Sequence, residues 1–208
     1  MNALAPITIT PVGVADLLPE GERMPVYVHV IDHPDARVLV DTGMTELHPA
    51  VADLDPRLRP LSKQDFDLAG IDIVVNTHLH FDHCGGNHLF ADKPIYVQRR
   101  ELDDARSEED YTIREWVEAP GVRYVPVDGE LELLPGLRLV PAPDTHAACK
   151  SSSSRPASVR SSTGAPRKVC MSVGYNGSSP EVLGGDPRYR SPNAHDLDHA
   201  NHLWRNLH

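Results

Sequence analysis

Ligand-type side chains are concentrated in one short stretch of the sequence, residues 78–83. It contains three imidazoles, His78, His80 and His83, and one carboxylate, Asp82. In an extended segment, side chains two residues apart point to the same side, so His78 and His80 can face one point. A turn after His80 would bring Asp82 and His83 back towards that point. Imidazole nitrogen and carboxylate oxygen together suit zinc, iron, manganese or cobalt, and the residues alone favour none of these metals over the others.

The residues around this cluster indicate how it is positioned. The near-continuous apolar run 71–76 predicts a buried strand that leads directly into it. Gly85 and Gly86 follow the cluster and permit a close approach of neighbouring chain. Without a metal, four ligand-type residues at the end of a buried strand would each need a separate partner, which favours a metal site. The more isolated histidines are predicted to be structural: His29, His33, His48 and His88.

Alternating and continuous apolar runs predict an α/β or α+β layered domain, in which strands are interleaved with short helices. The predicted strands are 25–31, 37–40, 71–76, 94–98, 122–127, 131–134 and 137–140. The predicted helices are 46–54, 63–68, 99–106 and 112–117. The first two strands are separated by His33, Pro34 and Asp35, which predict a hairpin turn.

The composition of the chain changes near residue 144. Residues 1–143 contain 12 Lys and Arg against 25 Asp and Glu, whereas residues 144–208 contain 8 against 5. Serine occurs twice in the first part and eleven times in the second, where Leu, Ile, Val and Phe together number only eight. So few aliphatic residues rarely support a core. We therefore expect a folded domain over 1–143 and an atypical Ser-rich tail over 144–208, either disordered or read out of frame.

Composition also excludes several classes of function. The formal net charge of −10 disfavours binding to a phosphate backbone, and the longest apolar run is too short to span a membrane. The first residues show no secretory signal, and the three cysteines are too few and too scattered for a disulfide framework. We expect a cytoplasmic protein that binds a small molecule and neither nucleic acid nor membrane.

The motif His78-x-His80-x-Asp82-His83, placed directly after a strand, resembles the signature of the metallo-β-lactamase superfamily. The segment 38–43, Val-Leu-Val-Asp-Thr-Gly, is similar to the first strand and loop of that superfamily. Gly-Gly-Asn at 85–87 and the segment 94–102 are similar to the N-acyl homoserine lactonase branch. The resemblance covers roughly residues 5–143. It implies an α+β fold, the αββα sandwich, whose second half is incomplete or disordered in this chain, with the metal centre at one edge of the two sheets.

The resemblance also implies roles for the clustered residues. His78 and His80, with a later histidine, would hold one divalent metal ion, and Asp82 and His83 would contribute to a second; zinc is the metal expected. A hydroxide bridging the two ions would attack the carbonyl of a lactone or other ester, and Asp82 would act as the catalytic residue that passes a proton to the leaving group. Asp41 either orients a ligand imidazole or caps a turn, and Cys84 is expected to be a packing residue.

Two alternatives to lactone hydrolysis remain open at this stage. One is a thioester hydrolase resembling glyoxalase II. The other is an inactive, truncated remnant with an incomplete metal site, because the family resemblance implies further ligands after residue 140. A Gly-His pair is expected after the strand and proline that end near residue 143, but the sequence reads Asp144, Thr145, His146.

A change of reading frame near residue 144 would explain this departure. A shift of one base can turn the codons of Asp144 and Thr145 into Gly and His, and an off-frame GC-rich sequence is rich in Ser, Arg and Pro. One segment supports an insertion instead. Residues 182–186, Val-Leu-Gly-Gly-Asp, resemble the strand that supplies a bridging carboxylate, and Tyr189 follows three residues later.

Overall fold

The computed structural model describes residues 7–109, 111–143 and 169–175. The strands in these residues are β1 (Thr8–Leu17), β2 (Met24–His33), β3 (Ala36–Val40), β4 (Arg57–Leu58), β5 (Ile73–Val75), β6 (Pro94–Gln98), β7 (Arg123–Val127), β8 (Leu131–Leu134), β9 (Leu137–Pro143) and β10 (Val169–Tyr175). The α-helices are α1 (Phe81–Cys84), α2 (Arg99–Ser107) and α3 (Arg114–Val117). Short 3₁₀ helices cover Pro19–Gly21, Pro49–Leu54, Leu61–Lys63 and Asn87–Phe90.

Seven of the strands form one mixed sheet, in the spatial order β4-β1-β2-β3-β5-β6-β7. Neighbouring strands among β4, β1, β2 and β3 pair antiparallel. Neighbouring strands among β3, β5, β6 and β7 pair parallel. Parallel strands that are neighbours end at the same edge of a sheet. The segments that follow β3 and β5, residues 41–43 and 76–80, therefore lie side by side.

The second sheet contains β10, β9 and β8 in that order, all paired antiparallel. Strand alternation gives β3 two apolar faces. Val38 and Val40 belong to the core between the two sheets, with Leu137 and Leu139 of β9. Leu39 faces the other way, into a core that includes the aromatic side chains of the helical layer, Phe90 and Trp116.

This arrangement confirms the predicted α+β class, with helices covering one face of a two-sheet sandwich. Strand β10 lies within the predicted tail and pairs with β9 from Val169 to Tyr175. The remainder of that tail, residues 144–168 and 176–208, lies outside the described residues, and the prediction that the tail is disordered or frame-shifted falls largely on it. None of the helices in the described part of the chain is long and apolar enough to cross a membrane.

Some local predictions were wrong. The predicted helix 46–54 is a shorter 3₁₀ helix, Pro49–Leu54, in which proline occupies the first position and the His48 side chain accepts a hydrogen bond from the Ala50 N–H. The predicted helix 63–68 is not formed. Its hydrogen bonds span only two residues, as in the bond from Phe66 N–H to the Gln64 carbonyl at 2.8 Å. Strand β1 was missed altogether.

Candidate metal centre

The loop after β3 is fixed to the end of β5 by one carboxylate. Asp41 has a left-handed backbone conformation, with φ of 61°. Its N–H donates to the carbonyl of Val75 at 2.8 Å. Its side chain accepts two hydrogen bonds from Thr77, one from the backbone N–H and one from the hydroxyl, both at 2.8 Å. These bonds offset the backbone strain, which costs about 1 kcal/mol or more in a non-glycine residue.

Helix α1 begins directly after His80 and brings Asp82 and His83 back over the sheet edge, as the sequence predicts. The Nδ1 atom of His83 lies 2.8 Å from Asp41 Oδ2, and its Nε2 atom lies 3.4 Å from Asp82 Oδ2. The contact with Asp41 assigns a proton to Nδ1, so Nε2 is the nitrogen available to a ligand. Asp41 therefore orients an imidazole, which is one of the two roles considered for it.

His78 is oriented by the same carboxylate, through Thr77. The Thr77 hydroxyl donates to Asp41 and lies 3.1 Å from His78 Nδ1. Since the hydroxyl hydrogen is already used, His78 donates from Nδ1, and the lone pair of its neutral imidazole is then on Nε2. Asp41 thus determines the orientation of two imidazoles at once.

The structure brings all four predicted ligands to one edge of the sheet. The ring centroids of His78 and His83 are 3.9 Å apart, and those of His78 and His80 are 4.7 Å apart. Asp82 and His83 are buried, and His78 and His80 are half-buried. The donors are those that zinc and related divalent metals prefer, so their chemistry fits such an ion. Within residues 7–109, 111–143 and 169–175, however, no three His, Cys, Asp or Glu side chains are arranged to hold one ion.

The charges of these groups support one another. Burial would raise the pKa of Asp82, but the charge and hydrogen bond of His83 and the charges of His78 and His80 outweigh it, so this pKa lies well below its ordinary value. Burial would lower the pKa of His83, but Asp82 and Asp41 together hold it well above its ordinary value. Asp82 is therefore ionised at neutral pH, which is the form that binds a cation.

Cys84 and His29 also lie close to the cluster. The thiol of Cys84 is buried and donates to the Leu79 carbonyl at 3.3 Å, and burial raises its pKa, so it is not a thiolate. His29, predicted to be structural, lies near the site. Burial lowers its pKa, the charge of Asp41 opposes this and that of His83 adds to it.

Some residues of the site were not found from the sequence. Thr77, Glu101 and Tyr111 were not singled out, although Glu101 and Tyr111 contact the segment that carries His78 and His80. The expected later ligand at His146 and the segment 182–186 lie outside the described residues. The metal-binding roles of His78, His80, Asp82 and His83 stay predictions, as does the catalytic role of Asp82.

Comparison with known proteins gives a family match and a consistent set of relatives. The family model of the metallo-beta-lactamase superfamily matches residues 21–154. An N-acyl homoserine lactonase of Bacillus sp. is 29% identical over 153 residues, which cover 65% of this chain and 58% of that protein. The N-acyl homoserine lactonase AiiA of Bacillus thuringiensis subsp. kurstaki is 29% identical over 138 residues, or 58% of this chain and 54% of the relative. The chain thus spans less than two thirds of the length of these relatives.

Solved structures agree with these matches. An N-acyl homoserine lactone hydrolase with the product N-hexanoyl-L-homoserine bound at its catalytic metal center has a TM-score of 0.54 and 27% identity, covering 68% of this chain and 67% of that one. A mutant of B. thuringiensis AiiA with N-decanoyl-L-homoserine bound at the active site has a TM-score of 0.55 and 25% identity over the same shares. The protein belongs to the metallo-β-lactamase superfamily, and its predicted resemblance to the N-acyl homoserine lactonase branch is confirmed.

Proposed function

We propose that this protein is a metal-dependent hydrolase that opens the lactone ring of N-acyl homoserine lactones and so quenches a quorum signal. The observation that carries the proposal is the gathering of His78, His80, Asp82 and His83 at one sheet edge, with Asp41 orienting two of the imidazoles. Relatives named as N-acyl homoserine lactonases support the choice of substrate. The scattered cysteines support a cytoplasmic location.

In this proposal His78 and His80, with a later histidine, would hold one divalent ion, and Asp82 and His83 would contribute to a second; zinc is the metal expected. When bound, two such cations would supply a water nucleophile of lowered pKa and would polarise the ester carbonyl. Asp82 would pass a proton from the attacking water to the alkoxide that leaves as the ring opens. Asp41, directly and through Thr77, would keep Nε2 of His83 and of His78 oriented for metal binding.

Lactone hydrolysis by the purified full chain tests the proposal. Hydrolysis of an N-acyl homoserine lactone should depend on about two zinc ions per chain and disappear with a chelator. The substitutions Asp82→Ala and His80→Ala should each lower kcat/KM by about 100-fold or more. His88→Ala, which changes an exposed histidine of the same region, should leave the activity unchanged.

Other results would contradict the proposal in different ways. Full activity in Asp82→Ala or His80→Ala would remove the proposed roles of these residues. Hydrolysis of a glutathione thioester without lactone hydrolysis would assign the protein to a glyoxalase II-like activity. A chain that binds at most one metal ion and hydrolyses neither substrate would be an inactive remnant.

We also propose that residues 1–143 form the N-terminal part of the superfamily domain and that the reading frame departs from the family near residue 144. The match to the family model ends at residue 154, soon after the change in composition. The nucleotide sequence around codon 144 tests this. The neighbouring frame should encode Pro-Gly-His followed by aliphatic strands, and the absence of such a continuation would favour an insertion that ends at 182–186.

A further inference from the structure

The peptide between His78 and His80 is held by a buried carboxylate from another element. Strand β5 ends at Val75, so the N–H of Leu79 lies beyond the strand ladder. It donates instead to Glu101 Oε1 at 2.7 Å. Glu101 lies in the first turn of α2 and is fully buried. The hydroxyl of Tyr111 donates to the same oxygen.

Apolar contacts with the same elements also hold this segment. Leu79 is fully buried and belongs to a cluster with Leu102 and Ala105 of α2 and with Tyr111. The ring of Tyr111 also lies against the His80 imidazole, with centroids 5.0 Å apart. Helix α2 and Tyr111 therefore contact both the backbone between the two imidazoles and the ring of one of them.

We propose that Glu101 and Tyr111 are positioning residues that fix segment 78–80, so that His78 and His80 are held in place for metal binding. This inference rests on the proposed function, in which both histidines are metal ligands. A carboxylate is costly to bury, and this one accepts hydrogen bonds from two donors at a single oxygen atom. Residues behind metal ligands commonly contribute 10- to 100-fold to metal affinity because they restrict the orientation of the ligands.

Amide hydrogen exchange in the metal-free full-length protein tests the positioning role directly. Glu101→Ala should increase the exchange rate of the Leu79 amide by about 10-fold or more relative to the Val74 amide of β5, which reports on the sheet. Tyr111→Phe keeps the ring on His80 and should give a smaller increase. Glu101→Gln keeps an oxygen that accepts both hydrogen bonds and should restore most of the protection. The matched control Glu109→Ala changes an exposed carboxylate close to the end of α2 and should change neither amide.

Zinc affinity, measured by competition with a chromophoric chelator, tests what the positioning is for. Glu101→Ala should weaken zinc binding by about 10- to 100-fold and alter the absorption spectrum of the cobalt-substituted protein, whereas Glu101→Gln should stay within about 3-fold of wild type. Glu109→Ala should bind as wild type does. If Glu101→Ala proves unstable, Tyr111→Phe supplies the same comparison with a milder change.

Three results would overturn the inference: Leu79 exchange that rises only in step with Val74, unchanged zinc affinity in both Glu101→Ala and Tyr111→Phe, or Glu101→Gln behaving as Glu101→Ala does. Failure of the proposed function is separate. A wild-type chain that binds zinc but leaves lactones intact contradicts the lactonase and not the positioning role. A wild-type chain that binds no zinc contradicts the metallohydrolase, and the exchange rates then decide the positioning role of Glu101 and Tyr111 alone.

Discussion

Two histidine–carboxylate pairs of nearly equal length lie in different surroundings. His83 Nδ1 is 2.8 Å from Asp41 Oδ2, and His48 Nε2 is 2.9 Å from Glu115 Oε1. The side chains of the first pair are 11% and 6% exposed, whereas those of the second are 28% and 64% exposed. Water competes with the second pair and hardly reaches the first, so equal lengths do not imply equal strength.

The pKa values of the two carboxylates show the difference. Burial would raise the pKa of Asp41, but the charge and hydrogen bond of His83 outweigh burial, so the pKa is lowered. The pKa of Glu115 is also lowered, but chiefly by its own backbone N–H, and His48 contributes less. The buried pair is therefore part of the site, whereas the exposed pair is a surface contact beside Trp116.

Removal of the charge of Asp41 should have the largest effect on stability among these comparisons. Asp41→Asn keeps an oxygen for the Thr77 N–H and tolerates the left-handed backbone, but it removes the negative charge beside His83. We expect the metal-free protein to lose about 2–3 kcal/mol of unfolding free energy, as for a hydrogen bond to a charged group. Urea denaturation measures this, and a loss below about 0.5 kcal/mol would place the pair in the class of surface ion pairs.

Close contact between residues 41–43 and the segment that follows helix α1 should be the next most sensitive feature. A Cβ atom at Gly86 would lie 2.6 Å from the carbonyl oxygen of Thr42, so Gly86→Ala must displace backbone. We expect a loss of about 1–3 kcal/mol in stability and weaker zinc binding, because Thr42 N–H also donates to the His83 carbonyl at 2.8 Å.

Gly13→Ala provides the matched control for this substitution. Its Cβ would lie 3.4 Å from the end of the flexible Arg59 side chain, which can move. The control should stay close to wild type in urea denaturation and zinc affinity. Equal losses in Gly86→Ala and Gly13→Ala would mean that contact with the Thr42 carbonyl does not limit the site.

Metal-free protein should lose stability at both ends of the pH range. The pKa of His83 is raised by Asp82 and Asp41 against the effect of burial, so its stabilising charge is fully present below 6.5 and is lost as pH rises through the raised pKa. The pKa values of Asp41 and Asp82 are lowered by His83 against the effect of burial, so their contribution is present above 3.8 and is lost as pH falls through the lowered pKa.

Urea denaturation at a series of pH values, with a chelator present, measures both losses. Asp41→Asn should reduce the alkaline loss, because it removes one of the two carboxylates that raise the pKa of His83. An alkaline loss as large in Asp41→Asn as in wild type would assign that loss to groups other than this pair.

How well the sequence predicts a feature depends on how far apart in the chain the residues that form it are. The cluster 78–83 was found because its ligands are adjacent in the chain and follow a strongly apolar strand. Glu101 was not found, because its partner Leu79 is 22 residues away and a glutamate in the first turn of a helix is ordinary in sequence. Such a contact depends on the packing of α2 against the segment, which no local pattern reveals.

Strand β1 illustrates a second limit. It contains Pro11 and Gly13, both of which disfavour a strand, and its burial begins only at Val14. The structure accommodates Pro11 because β4 pairs with β1 only at Ala15 and Asp16, so the proline lies where that side of β1 has no partner strand in the described sheet. Local propensity was outweighed by position in the sheet.

The exposed pair should give the smallest effect. Glu115→Gln keeps an oxygen near His48 and should change the unfolding free energy by no more than about 0.5 kcal/mol, since water screens the charge that is lost. Urea denaturation at low and at high salt measures this, and the difference in unfolding free energy between variant and wild type should be equally small at both salt concentrations. A loss that matches Asp41→Asn would contradict the comparison, because the strength of these pairs would then follow their length and not their burial.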